Sequence, residues 1–180
     1  MNASGAGVST KLSLEFLILT ATRSGEIRLS VWDEINLAER VWTIPANKMK
    51  AKREHRIPLS LRAIELLQEA NGLGDGSGLI FPGTKTGKPL ADMTLSKLVK
   101  ELGFNADIHG FRTSFRTWAQ ERTNFPREVA EAALAHNVGD EVEMAYARSD
   151  VFEKRRSLME RWASYLAVQH GDVVTLGAAK

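Results

Sequence analysis

The sequence predicts an α+β domain that is mainly α-helical and contains a small antiparallel three-stranded sheet. Apolar residues recur at helical spacing in several separate segments of the 180-residue chain. Three short runs rich in β-branched and aromatic residues lie in its first third, and polar turns separate them. Hydrophobic residues make up 43% of the chain and charged residues 26%, a balance that suits one globular domain with its own core.

The first half of the chain is predicted to contain a buried helix, the sheet and a second helix. Residues 1–10 are rich in Gly, Ala and Ser and are expected to form a flexible leader. The segment 12–21 is apolar on nearly all sides, which predicts an interior helix. The strands are predicted around Trp32, at 41–44 and at 56–59. Ser60 is placed to cap the second helix, which should end at Asn71 and Gly72.

The second half is predicted to be helical after a long loop. Residues 72–89 are rich in Gly, Pro and Thr, with a short extended piece at 79–81. Helices are then predicted around 93–99, over 109–121 and over 126–134. Asp140 and Glu143 resemble a capping box that opens a short helix carrying Tyr146. The last helix is predicted at 151–166, followed by a loose tail at 169–180.

The composition excludes several classes of site. The chain has no cysteine, which rules out disulfides, a thiolate nucleophile and cysteine-based zinc sites. Its four histidines lie far apart and form no HExxH-type pair, so no metal site is predicted. The sequence contains no apolar run long enough for a membrane span and no secretory leader, so we expect a cytoplasmic protein without a membrane partner.

The basic residues are unevenly distributed, although the formal net charge is only +2. The densest cluster lies between the last two predicted strands, and two more lysines follow in the long loop. The predicted phosphate contacts are Lys48, Lys52, Arg53, Arg56, Lys85 and Lys88, and Lys50 lies in the same cluster. Phosphate binding is one interpretation of these residues, and a solvated hairpin tip is the other.

Two arginines and one tyrosine suit a particular chemistry. A phosphodiester attacked by an oxygen nucleophile accumulates charge on its non-bridging oxygens, and a catalyst must stabilise that charge. Guanidinium groups are permanently charged and offer paired donors that match phosphate, so Arg23 and Arg112 could clamp such a group in the role that metal ions have elsewhere. Tyr146 would need help as a nucleophile, because only about one phenol in a thousand is ionised at neutral pH.

Five motifs in one order carry a family resemblance. They are Arg23 with Glu26, Lys50 eight residues before Pro58, the HxxR motif of His109 and Arg112, the Leu-Ala-His motif ending at His136, and Tyr146 ten residues later. This set resembles the catalytic residues of the tyrosine recombinases, in particular the integrases of prophages and genomic islands. The resemblance covers about residues 12–166.

The resemblance implies the tyrosine recombinase catalytic-domain fold and site-specific DNA cleavage and rejoining through a 3′-phosphotyrosine intermediate. Tyr146 would be the nucleophile, His109 its base, and His136 a hydrogen-bond donor to the phosphate. Lys50 would protonate the leaving 5′ oxygen, and Glu26 would support the site. No cofactor or metal is implied.

Some alternatives stay open among these residues. Lys48 and Lys52 lie close enough to Lys50 to compete for its role. Tyr165 is a rival nucleophile, but its spacing from Leu158 and Trp162 predicts a core position. The four tryptophans are predicted to be packing residues.

Two positions depart from the family pattern. Ala21 and Ala135 stand where many relatives have glycine, and we expect no loss because alanine is also small.

The resemblance also bears on domains and partners. The catalytic domain is predicted at 11–168, without the N-terminal core-binding domain of related integrases. Double-stranded DNA is the expected partner, with a monomer in solution and a tetramer on DNA in the full-length protein. The expected location is the bacterial cytoplasm, in association with the nucleoid. Two competing functions are a type IB topoisomerase and a catalytically silent DNA-binding module.

Overall fold

The structure is a computed structural model that describes residues 4–136 and 148–168. It confirms the predicted class, because helices surround one small antiparallel sheet. The helices are α1 (Val8–Thr20), α2 (Ser24–Arg28), α3 (Leu61–Asn71), α4 (Thr94–Glu101), α5 (Gly110–Arg122), α6 (Arg127–Ala133) and α7 (Arg148–Val168). The strands are β1 (Ile35–Asn36), β2 (Val41–Ile44) and β3 (His55–Pro58), with short 3-10 turns at Trp32–Glu34 and Ala46–Lys48.

The sheet has the order β1-β2-β3, and both neighbouring pairs are antiparallel. Trp42 on β2 lies opposite Ile57 on β3 and is completely buried. The connection between β2 and β3 runs through residues 45–54, which include most of the basic cluster. The sheet therefore holds the base of a hairpin whose tip carries lysines and an arginine.

The strand predicted around Trp32 is wrong. Trp32 begins a 3-10 turn, and β1 follows it at Ile35–Asn36. The backbone N–H of Trp32 donates to the Gly78 carbonyl (3.0 Å), and Val31 forms an isolated bridge with Leu79. The backbone just before the 3-10 turn therefore pairs with the long loop and not with a strand of the sheet.

Several predicted boundaries shift by a few residues. The leader predicted for residues 1–10 is too long, since α1 already begins at Val8 and Ser9 Oγ donates to the Pro82 carbonyl (2.7 Å). Ser60 caps α3 as predicted, because its Oγ accepts a hydrogen bond from the Ala63 N–H (3.3 Å). The α2 helix was not predicted. The predicted helix carrying Tyr146 and the predicted tail lie outside the described residues.

Two hydrophobic clusters form the core. The larger one surrounds α1, where Phe16 and Leu17 are fully buried. The smaller one joins α5, α6 and α7, and in it the ring of Phe115 meets the edge of Trp162 at 5.5 Å between centroids. Trp162 Nε1 also donates to the Ile18 carbonyl (2.8 Å), so α7 is tied directly to α1. None of the described helices is both long and apolar enough to span a bilayer.

Tyr165 was predicted to be a core residue, and this prediction is wrong. Its side chain stacks on Trp162 at 5.7 Å and contacts Trp118 at 5.6 Å, but 38% of the residue is exposed. It lies at the margin of the smaller cluster, because its two aromatic partners already fill the interior. The prediction that the four tryptophans are packing residues is confirmed: Trp32 and Trp42 pack in or against the larger cluster, and Trp118 and Trp162 belong to the smaller one.

Two helices end on an alanine in the left-handed conformation. Ala21 has φ 51° after α1, and Ala135 has φ 53° after α6. The turn at Ala135 is closed by the N–H of His136 donating to the Glu131 carbonyl (3.0 Å) and that of Ala135 donating to the Ala132 carbonyl (3.2 Å). This is the hydrogen-bond pattern of a Schellman motif, in which glycine is the preferred residue. An alanine there costs about 1 kcal/mol or more.

We predict that Ala135→Gly raises the free energy of unfolding by about 0.5–1 kcal/mol, because glycine adopts positive φ without strain. The matched control is Ala132→Gly inside α6, which should lower it by a similar amount, about 0.5–1 kcal/mol. Urea unfolding followed by tryptophan fluorescence measures both. Equal destabilisation by the two glycines would show that the turn carries no strain.

Candidate active site

The guanidinium group of Arg112 is buried between the ends of two helices. Arg112 lies on the first turn of α5 and is only 4% exposed. Its Nη1 donates to the Ala21 carbonyl at the end of α1 (2.5 Å), and its Nη2 donates to the Leu134 carbonyl at the end of α6 (2.6 Å). Burial and the nearby Arg23 lower the pKa of Arg112 to about 10, although Glu26 opposes this shift. The group therefore stays charged at neutral pH.

The two carbonyls that hold Arg112 each lie two residues before another predicted site residue. Arg23 follows Ala21, and His136 follows Leu134. Two residues of extended chain span at most about 7 Å, so both positions are tied close to the Arg112 guanidinium. The structure thus brings together three of the predicted site residues, although they are up to 113 positions apart (136 minus 23) in the sequence.

Arg23 is held in place by Glu26. The Arg23 backbone N–H donates to Glu26 Oε2 (2.8 Å), and Arg23 Nη1 donates to Glu26 Oε1 (2.9 Å). The Glu26 side chain is buried, whereas that of Arg23 is 30% exposed. The carboxylate therefore fixes one side of a guanidinium that still reaches solvent.

The ring of His136 contacts a carboxylate from α6. His136 Nδ1 lies 2.6 Å from Glu131 Oε2, and 41% of the His136 side chain is exposed. Glu131 is buried and also accepts from Arg116 Nε (2.7 Å) and Nη2 (2.6 Å) of α5. Burial raises the pKa of the Glu131 carboxyl, but the hydrogen bonds from His136 and Arg116 outweigh it, so the net shift is downward. Glu131 is therefore ionised at neutral pH.

His55 is a buried histidine beside the same helix end, and the sequence analysis did not identify it. Its Nε2 lies 3.2 Å from the Ala133 carbonyl. Burial, followed by repulsion from Arg155 and more weakly from Arg112 and Arg23, lowers the pKa of His55 to about 3. His55 is therefore neutral, and Nε2 must carry the hydrogen because a carbonyl only accepts. The alternation of strand β3, with His55 and Ile57 facing inward and Arg56 outward, was the available signal.

His109 and Lys50 lie on the surface. His109 is the residue immediately before α5, three positions before Arg112, and its backbone N–H donates to Asp107 Oδ1 (3.2 Å). Lys50 is exposed in the turn between β2 and β3. The described residues show neither side chain in contact with Arg23 or Arg112.

The structure separates the hairpin lysines into two kinds. Lys48 Nζ donates to Glu34 Oε1 (2.6 Å) and to the Leu29 carbonyl (2.7 Å), which anchors it to the segment between α2 and β1. Lys50 and Lys52 are exposed. The Lys48 ammonium therefore already has two partners, whereas the Lys50 and Lys52 side chains reach solvent.

The other residues predicted to contact phosphate lie at the hairpin and in the long loop. Arg53 is exposed at the hairpin, and the exposed Arg56 places its guanidinium 4.6 Å from the centre of the Phe152 ring. Lys85 and Lys88 are exposed in a tight turn.

This turn depends on a glycine. The Gly83 N–H donates to the Lys88 carbonyl (2.8 Å). A Cβ atom at Gly83 would come within 2.7 Å of the Pro89 carbonyl oxygen, so only glycine fits without a shift of the backbone.

Tyr146 lies outside the described residues. The nearest described element is α7, which begins at Arg148 and packs against β3. Its buried Arg155 donates from Nη2 to the Arg56 carbonyl. Burial and repulsion from Arg56 lower the pKa of Arg155 to about 10, so this arginine also stays charged.

Comparison with known proteins matches the chain to phage and prophage integrases. The family model described as the phage integrase family matches residues 1–152. The chain is 36% identical to the prophage integrase IntA of Escherichia coli (strain K12), over 100% of this chain and 44% of that protein. It is 29% identical to the integrase of Enterobacteria phage P4, over 94% of this chain and 43% of that protein. The chain thus spans less than half the length of these relatives.

Two solved structures share the fold. A lambda integrase dimer bound to a COC′ core site aligns with a TM-score of 0.57 and 18% identity, over 88% of this chain and 44% of that chain. The XerA recombinase aligns with a TM-score of 0.56 and 13% identity, over 93% of this chain and 65% of that chain.

We predict that His55 makes the protein less stable as the pH falls below about 6.5. An unfolded histidine titrates near pH 6.5, whereas folded His55 has a pKa of about 3. In this range the unfolded chain binds a proton that the folded chain excludes, so the free energy of unfolding falls by up to about 1.4 kcal/mol per pH unit.

The matched variant is His55→Gln, which keeps an N–H donor for the Ala133 carbonyl but does not titrate. Urea unfolding between about pH 7.5 and 5.5 should show the wild type losing about 1 kcal/mol more than the variant. Equal losses in the two proteins would contradict a neutral, buried His55.

Proposed function

The chain belongs to the phage integrase family, and we propose that it performs site-specific recombination of double-stranded DNA through a covalent bond to Tyr146. In this reaction the Tyr146 phenolic oxygen attacks a DNA phosphorus, and the bond from phosphorus to the 5′ oxygen breaks. The chain would then hold a 3′-phosphotyrosine, and a second 5′ hydroxyl would reverse the step. No external energy source is required, because one phosphodiester replaces another.

The observation that carries this proposal is the convergence of Arg23, Arg112 and His136 at the ends of α1 and α6. Two guanidinium groups close enough to lower the pKa of Arg112 repel each other. An anion bound between them would relieve this repulsion, and perturbed pairs of this kind are concentrated at functional sites. A phosphate with two non-bridging oxygens is an anion that matches them.

The two arginines would stabilise the transition state in different ways. Arg112 is fixed by two carbonyls, so it needs no reorganisation when charge develops on the phosphate. Arg23 is held by Glu26 on one side and exposed on the other, which suits a direct contact with the incoming DNA. His136 is also partly exposed and would donate to a non-bridging oxygen.

The protons of the reaction would move through the two surface residues. His109 would accept the phenolic proton of Tyr146, and the exposed position of Lys50 suits delivery of a proton to the leaving 5′ oxygen. The exposed Lys52 ammonium is the nearest alternative donor in the hairpin, whereas Lys48 is engaged by Glu34. When the strand is rejoined, both proton transfers run in reverse. The enzyme then carries the same number of protons as before cleavage.

The proposal also covers the DNA contacts, the domain bounds, the oligomeric state and the location of the protein. Lys52, Arg53, Arg56, Lys85 and Lys88 would contact the DNA backbone, with Lys48 shaping the hairpin that presents them. We assign the catalytic domain to the segment from α1 through α7. The protein would be a monomer in solution, and the full-length protein would form a tetramer on DNA. It would be located beside the bacterial chromosome.

We predict that the chain forms a denaturation-resistant adduct with DNA and that Tyr146→Phe abolishes it. The substrate is a pool of nicked duplexes with a randomised core, so that cleavage releases a short strand and traps the intermediate. Adducts are resolved by denaturing electrophoresis in the presence of EDTA, and the captured DNA is sequenced to identify the preferred site.

The matched control is Tyr165→Phe, which removes the other tyrosine of the chain and should leave the adduct unchanged. The experiment is repeated with the chain joined to the N-terminal part of IntA, since that relative is longer. If neither protein forms an adduct, or if Tyr165→Phe rather than Tyr146→Phe abolishes it, the proposed function is rejected.

A further inference from the structure

Glu131 holds His136 through both its side chain and its main chain. Its Oε2 lies 2.6 Å from His136 Nδ1, and its carbonyl accepts from the backbone N–H of His136 (3.0 Å). The second carboxylate oxygen is occupied by Arg116 Nε and Nη2, and Arg127 Nε lies 3.5 Å away. A buried carboxylate therefore sits between a half-exposed imidazole and two arginines.

This contact decides which ring nitrogen of His136 faces outward. An ionised carboxylate only accepts hydrogen bonds, so the nitrogen that contacts Glu131 must carry a hydrogen. In neutral His136 that nitrogen is Nδ1, and Nε2 then holds a lone pair. In cationic His136 both nitrogens carry hydrogens, and Nε2 becomes a donor.

The orientation of the ring follows from the same contact. Since Nδ1 is fixed against the buried Glu131, Nε2 must point to the opposite side of the ring, where the side chain is exposed. His136 follows the left-handed residue Ala135, and the turn is itself closed on the Glu131 carbonyl. One glutamate thus limits both the backbone and the ring, and a single histidine on a turn would otherwise adopt several rotamers.

We propose that Glu131 is a positioning residue, which acts through His136 by holding Nδ1 inward and presenting Nε2 to the scissile phosphate. The inference rests on the proposed function. For Nε2 to donate to a phosphate oxygen, both ring nitrogens of His136 must carry hydrogens. Arg116 keeps Glu131 ionised and in place, so the carboxylate is not free to leave the ring.

The first test reads the His136 ring directly in the unmodified chain. Nitrogen-15 NMR of the imidazole distinguishes the two neutral forms, and His136→Gln assigns the signals. Neutral His136 should be protonated at Nδ1 and unprotonated at Nε2. A neutral form protonated mainly at Nε2, or an even mixture of the two, would overturn the proposal whether or not the chain cleaves DNA.

The second test compares Glu131→Gln with Glu128→Gln. Both residues lie on α6, but Glu128 is exposed and has no described contact with His136. The amide that replaces the Glu131 carboxylate offers both a donor and an acceptor, so the preference of neutral His136 for the Nδ1 form should weaken. Adduct formation should slow roughly 10- to 100-fold while DNA affinity changes little, the scale seen when a group that orients a ligand histidine is removed. The Glu128 variant should match the wild type.

The outcomes separate this proposal from the proposed function. If neither the wild-type chain nor its fusion to the N-terminal part of IntA forms an adduct, the proposed function fails, and the ring measurement alone decides whether Glu131 orients His136. If the wild type cleaves DNA and Glu131→Gln cleaves equally fast, the positioning role is rejected, whatever happens to the tautomer. If Glu131→Gln does not fold, the ring measurement on the wild type remains the test.

Discussion

The buried guanidinium of Arg112 is the interaction on which the candidate site depends. It joins the C-terminal end of α1 to that of α6, where carbonyls carry the partial negative charge of each helix dipole. No carboxylate contacts it directly among the residues described, so a cation is kept in the interior by two carbonyl oxygens and by the more distant Glu26. Arrangements of this kind contribute little net stability. The effect of this arrangement is to fix the positions of Arg23 and His136, because each follows one of the two carbonyls by two residues.

At the end of α6, several weak contacts together position one candidate site residue, His136. Arg112 binds the Leu134 carbonyl, His55 binds the Ala133 carbonyl, and Glu131 binds His136 itself. The backbone also adopts a left-handed turn at this point, at a cost in strain that the surrounding hydrogen bonds offset. The contacts come from α5, β3 and α6, so the position of one imidazole depends on three elements of the fold.

The parts of this structure that follow local rules could be predicted from the sequence, and those that depend on distant partners could not. The Ser60 cap and the helical spacing that gave α1, α3, α4, α5, α6 and α7 are local, and they were predicted correctly. His55 was overlooked because its partner lies 78 residues away. Trp32 was misassigned because its backbone pairs with Gly78. Glu131 was not predicted to be a site residue, because nothing in its spacing distinguishes it from an ordinary helical glutamate. The candidate site was instead predicted from the order of the five family motifs.

The central claim is that Arg23 and Arg112 bind one and the same phosphate, with His136 beside them. The most direct measurement is a crystal structure of the Tyr146→Phe chain with a duplex recovered by covalent capture. We expect the guanidinium carbons of both arginines within about 5 Å of a single phosphorus atom, as charge-assisted hydrogen bonds require. A structure in which the two arginines contact different phosphates, or in which Arg112 remains bound only to its two carbonyls, would contradict the account.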